Sequence, residues 1–168
     1  RLIILTLNSH GVDGEAFVKR FGVDSRLTTD PNYRIAFPVL RDLWVAAVVE
    51  TGEESFPLQV GAKVHPTTFH ALSVVLWSSS SLKQLFQLLF RYLPLFTTAS
   101  VSELIEGKDN YQVHIHPKME GSGQPYKLDL GLDAALAAIV TICRSHYGEG
   151  FSLLKLELSR QAPKEKDI

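Results

Sequence analysis

The sequence predicts an α+β fold: a helical N-terminal part followed by a β-hairpin, a helix and a further strand. Three observations predict it. Apolar residues recur at three- and four-residue intervals through the first two-thirds of the chain, the period changes to two after Ser100, and a helical stripe returns from Leu132.

Near the start, Gly11-Val12-Asp13 recurs as Gly22-Val23-Asp24. Each copy has the chemistry of a helix junction. Glycine tolerates the left-handed conformation that ends a helix, and an aspartate carboxylate accepts from the free N–H groups that begin the next. In the first copy Val12 and Phe17 have hydrophobic-staple spacing, and the helix should run from about Gly14 to Phe21.

The next helix carries the clearest signal. Val39, Leu40, Leu43, Trp44, Ala47, Val48 and Thr51 form its stripe, with Pro38 suited to the first helical position and Gly52 to the C-terminal cap. Shorter helices are expected around Leu58 to Lys63 and from about Thr68 to Trp77. Ser81 followed by Gln84 is a capping box. It opens a helix with Leu82, Leu85, Phe86, Leu89 and Leu93 on one face; Leu88 and Phe90 lie off that face, so burial on most sides is expected up to Pro94.

Val101 to Glu106, a turn at Gly107-Lys108-Asp109-Asn110, and Tyr111, Val113 and Ile115 alternating with Gln112, His114 and His116 predict the hairpin. A Gly/Pro-containing loop follows from Pro117 to Pro125. Leu132, Ala135, Leu136, Ile139, Ile142, Cys143 and Tyr147 then form a helical stripe ending at Gly148, and Phe151 to Leu158 has strand-like composition.

At 168 residues and 45% hydrophobic content, the chain can build one substantial core, so residues 1–168 are expected to form a single domain. Its 17 basic and 18 acidic side chains nearly cancel, which leaves no positive field for gripping nucleic acid. The one cysteine, Cys143, cannot form an internal disulfide and fits a reducing, cytoplasmic setting. The apolar stretch from Leu82 to Phe96 is interrupted by Lys83, Gln84, Gln87, Arg91 and Pro94 and is too short and polar to span a bilayer. Arg1 and the charged run after Pro163 do not look like natural termini, so the chain reads as a piece of a longer protein.

The sequence carries no phosphate-binding glycine loop, no His-Glu-x-x-His and no nucleophile elbow. Gly121-Ser122-Gly123 reads as a flexible loop, and the serines from Ser78 to Ser81 as a turn and cap. His114 and His116 point to one face of a strand, a spacing that some metal sites use; with neither a third histidine nor a carboxylate beside them in the sequence, they read as solvent-facing. Cys143 and His146 are three apart on a helix, where Cys143 continues the apolar stripe and reads as a small buried hydrophobe. No metal and no cofactor is expected.

What remains is aromatic. Most of these rings must be core, but a cavity among them, oriented by Arg91 or Tyr92, would suit a small and mostly apolar effector. Trp44, Phe69, His70, Trp77, Arg91, Tyr92 and Tyr111 are the candidate contacts.

Several segments, taken in order, resemble the N-terminal effector-binding (arabinose-binding-type) domain of AraC/XylS family bacterial transcription regulators, in the subgroup related to ornithine-utilisation and mycobacterial virulence regulators. These are Gly22-Val23-Asp24, Asp30-Pro31 with Arg34-Ile35, Leu43-Trp44 running to Thr51-Gly52, Gly61, Pro66 to Phe69, Ser79 to Leu82, Leu89-x-Arg91-Tyr92, Cys143-Arg144 and Tyr147-Gly148. The resemblance covers roughly residues 11 to 163. The departures are Ala36 for a usual proline, Glu53-Glu54 for Asp-Pro, and His70 and Ser73 for glycines.

The resemblance implies a non-enzymatic regulator domain that binds a small effector and forms a homodimer; that the effector is apolar or amphipathic is the expectation from the aromatic side chains, not from the resemblance. DNA would be read by a separate C-terminal domain with two helix-turn-helix units, absent from these 168 residues. The alternative is a stand-alone sensor holding haem or a metal through a histidine; a more remote one is a hydrolase or isomerase with His114 or His116 as base.

Overall fold

The computed structural model describes residues 1–30, 32–69, 71–148 and 150–158. Seven α-helices are formed among them: α1 (Leu2–Ser9), α2 (Gly14–Lys19), α3 (Phe37–Thr51), α4 (Phe56–Ala62), α5 (Ala71–Trp77), α6 (Leu82–Tyr92) and α7 (Asp129–Tyr147). Strands β1 (Ser100–Glu106) and β2 (Tyr111–Pro117) lie between α6 and α7, and short 3₁₀ turns occupy Ser25–Thr29 and Leu93–Leu95. The chain divides into two compact units, one built from Arg1–His65 and the segment that begins at Asp129, the other from Pro66–Leu128.

In the first unit the predicted junctions are formed. Gly11 and Gly22 take φ of 75° and 74°, and the Asp13 carboxylate accepts from the N–H groups of Glu15 and Ala16 at 3.1 and 3.0 Å. After the second junction the helix is 3₁₀ and not α. There Asp24 accepts from the Arg26 N–H and binds its guanidinium, which holds the exposed carboxyl below its ordinary range. Helix α3 starts at Phe37, which puts Pro38 in its first turn, and Gly52 at φ 71° ends it. Leu43, Trp44 and Ala47 are its buried residues. They join Leu7, Phe17, Val18, Phe56 and Val60 in the core of this unit.

Helix α7 packs on α4 through small side chains. Gly61 of α4 lies against the backbone of Ala134 and Ala138 and the methyl of Ala137. This corrects the face expected from the sequence: Ala134, Asp133, Ile142 and Cys143 are buried, Leu132, Leu136 and Ile139 are half-buried, and Ala135 and Tyr147 are exposed. The expected stripe holds at Ile142 and Cys143 and fails at Ala135 and Tyr147, and near α4 the contact shifts to Ala134 because a glycine opposite an alanine ridge brings two helix backbones closer than leucines allow.

The further strand is also corrected. Residues 151–158 form no strand, and Leu153, Leu154 and Leu156 are exposed. Strand-like composition is not enough, since a strand also needs a neighbour to satisfy its N–H and C=O groups, and among the described residues β1 and β2 pair only with each other.

In the second unit the Ser81 hydroxyl accepts from the Gln84 N–H at 3.2 Å, while the Gln84 amide oxygen reaches past the cap to the N–H of Ser80 at 2.7 Å. A parallel contact serves α5, where the Phe69 N–H donates to the buried Ser73 hydroxyl at 3.2 Å. Helix α6 is fully buried along one side, through Leu85, Phe86 and Leu89. Leu88 and Phe90 are half-buried while Gln84, Gln87 and Arg91 are exposed, because the charged and amide groups keep one face in water.

The hairpin has the expected strands and turn. Glu106 pairs with Tyr111 and the register runs to Ser100 with Pro117. One face carries Ser102 and Leu104 opposite Ile115 and Val113, all half-buried, and α6 packs against β1. The other face carries Val101, Glu103 and Ile105 opposite His116, His114 and Gln112.

Candidate functional site

The aromatic residues picked from the sequence fall in both units. Trp44 is buried in the core of the first, where its ring meets Phe56 edge-on with centroids 6.3 Å apart. Phe69, Trp77, Arg91, Tyr92 and Tyr111 belong to the second. His70 lies outside the described residues.

Within the second unit, Phe69 stands edge-on to Phe96 at 5.2 Å, and Phe86 stacks on Phe90 at 5.8 Å. Trp77 ends α5 and is half-buried; Tyr92 is half-buried beside an exposed Arg91. Tyr111 begins β2 opposite Glu106, whose carboxylate pairs with Lys83 of α6. That ion pair ties the hairpin's turn end to the helix and raises the pKa of the Lys83 ammonium.

One polar atom stands out against this apolar surface. The Ser102 hydroxyl oxygen, on the inner face of β1, is buried and makes no hydrogen bond among the described residues. A buried hydroxyl without a partner costs about 1–3 kcal/mol, so Ser102 carries unused donor and acceptor capacity within this unit. Sequence reasoning missed it, since alternation identifies the face of Ser102 but not whether its oxygen is paired.

The first unit has an open depression of about 200 Å³ lined by Val12, Asp13, Ala16, Phe17, Arg20 and Glu50. Its charges serve one another: Arg20 pairs with Glu50 at 2.9 Å and lies over the Phe17 ring at 4.6 Å. It has the features of a packed seam and offers a guest little.

Cys143 is buried and provides no nucleophile, because burial pushes its thiol up to about 11. Folded protein at pH 8 should therefore react with a thiol reagent far more slowly than protein unfolded in urea, a comparison that one absorbance time course makes. Equal rates in the two states would show that the α7 face carrying Cys143 is not packed. Among the described residues no helix is long and apolar enough to cross a membrane.

The search of curated proteins gave no match. The family described as the arabinose-binding domain of AraC transcription regulators, N-terminal, matches residues 11–168, nearly the whole chain. With its helices, hairpin and closing helix, and with no catalytic constellation required of it, the chain belongs to this family of effector-binding, non-enzymatic domains of AraC transcription regulators.

Proposed function

We propose that the effector binds in the second unit, on the inner face of the hairpin, with Ser102 as its polar handle and Phe69, Trp77, Tyr92 and Tyr111 as the apolar contacts around it. Arg91, exposed on α6, would meet an anionic end of the same molecule. The unpaired Ser102 hydroxyl carries this reading. A mostly apolar surface with one unsatisfied hydroxyl suits a small apolar or amphipathic compound, since the hydroxyl orients the guest and the rings supply the buried area.

Residues 1–168 then act as one sensing domain within a homodimer whose surface includes a helix, and DNA is contacted through a separate helix-turn-helix domain. Binding shifts the balance between arrangements of the dimer by a few kcal/mol, which needs no catalytic residue.

The test is a thermal-shift screen of fatty acids, amino acids and small aromatic compounds. At about a hundred times its dissociation constant a true effector adds about 2.7 kcal/mol, which is on the order of 5–10 °C for a chain of this size. The shift should shrink in Ser102→Ala and Trp77→Ala proteins. A hit whose shift is unchanged in both variants would move the site elsewhere, and no hit in any class would leave dimerisation as the domain's role.

A further inference from the structure

We propose that the outer face of the hairpin holds a divalent first-row transition metal ion, such as Zn²⁺, through Glu103, His114 and His116. This goes beyond the effector reading and stands apart from it, because these three side chains share the face of the hairpin opposite Ser102.

The geometry arises from the register. His114 and His116 are two apart on β2 and so project from one face, and Glu103 is the residue of β1 directly opposite His114. One glutamate oxygen, Oε1, lies 3.6 Å from His114 Nδ1 and 3.3 Å from His116 Nε2. One ligand atom from each of the three residues lies within 4.8 Å of the other two. Ligands held tetrahedrally at bond lengths of about 2.0–2.2 Å stand roughly 3.3–3.5 Å apart, so two of the three separations are already near those of a bound ion, and a small side-chain rotation closes the third.

The donor set decides which ion. Two imidazoles and one carboxylate suit Zn²⁺, Ni²⁺ or Cu²⁺ and leave further positions for water, whereas Ca²⁺ and Mg²⁺ want more oxygen. Gln112 adds a supporting contact, its Oε1 lying 3.3 Å from His114 Nε2. An N–H at Nε2 donating to that oxygen leaves the Nδ1 lone pair free for the metal, the arrangement in which a ligating histidine gives its other nitrogen to an acceptor. The three side chains are solvent-accessible, so an ion can enter without the fold opening.

The experiment is calorimetric titration of the 168-residue chain with ZnCl₂, repeated with CoCl₂ while the visible absorption of Co²⁺ is followed. The native chain should take up one equivalent saturably and should bind Mg²⁺ far more weakly. His114→Ala and His116→Ala should each weaken uptake by about tenfold or more, and Glu103→Gln, which preserves shape, should weaken it too. A variant lacking the other four histidines, His10, His65, His70 and His146, should bind as the native chain does, which separates this site from loose binding by them. Because the three side chains reach solvent and none belongs to the core, the variants should keep the native circular dichroism spectrum. The proposal is overturned if the native chain shows no saturable uptake, or if uptake survives replacement of both hairpin histidines.

Discussion

Replacing Gly61 by alanine is expected to destabilise the first unit by about 1–3 kcal/mol, and replacing it by valine to cost more. On helix propensity alone the alanine change should help by up to about 1 kcal/mol. Packing outweighs that gain. A Cβ at this position would overlap the Ala134 carbonyl oxygen and come 2.6 Å from Ala137 Cβ and 2.9 Å from the Ala138 nitrogen. Two of these neighbours are backbone and cannot swing aside, so α4 and α7 would have to separate. Urea unfolding reads the effect as a lower midpoint at unchanged slope. A stabilised Gly61→Ala protein would mean that the two helices do not approach this closely.

Phe56→Ala should cost about 3–5 kcal/mol, the usual range for emptying a phenylalanine site in a core. Phe56 is 0% exposed, its ring meets Trp44 edge-on, and it lies 6.1 Å from His10. The loss takes a large share of the roughly 5–15 kcal/mol that holds a domain folded. Phe56→Leu, which keeps most of the volume, should cost far less. Thermal unfolding gives the ranking, and near-ultraviolet circular dichroism gives a local signal, since Trp44 loses its neighbour in the alanine variant alone. Equal stabilities for the two variants would contradict the burial of this ring.

The elements were legible where local chemistry decides. Periodicity located α3 and α6, and Gly11, Gly22, Gly52 and Gly148 all take the left-handed conformation that their places at helix ends require. Where packing between distant segments decides, the sequence was less informative. The buried face of α7 is set by Gly61, some seventy positions earlier, and a stripe drawn through large residues cannot register a glycine on another helix. The segment at 151–158 has the alternation of a strand but no neighbour to pair with among the described residues.

The candidate sites divide in the same way. Among the aromatics, Trp44 and Trp77 were both candidate contacts, yet one is buried in a core and the other half-buried at a helix end. The Glu103–His114–His116 cluster was within reach of simple counting. A turn of Gly107 to Asn110 pairs Glu106 with Tyr111, and counting back three residues on each strand puts Glu103 opposite His114. The carboxylate missing beside the histidines along the chain is supplied across the ladder.

The order of the two units along the chain bears on how the protein is made. Helices α1 to α4 leave the ribosome well before the helix that packs on α4, which begins at Asp129, after the whole of Pro66–Leu128 has been synthesised. The central stretch has its partners close at hand and can collapse as soon as it emerges, whereas the opening stretch must wait with the Gly61 surface uncovered. The unit that holds α1 to α4 is thus completed only after the central one, and a nascent chain stalled before α7 would expose that uncovered helix to chaperones and proteases.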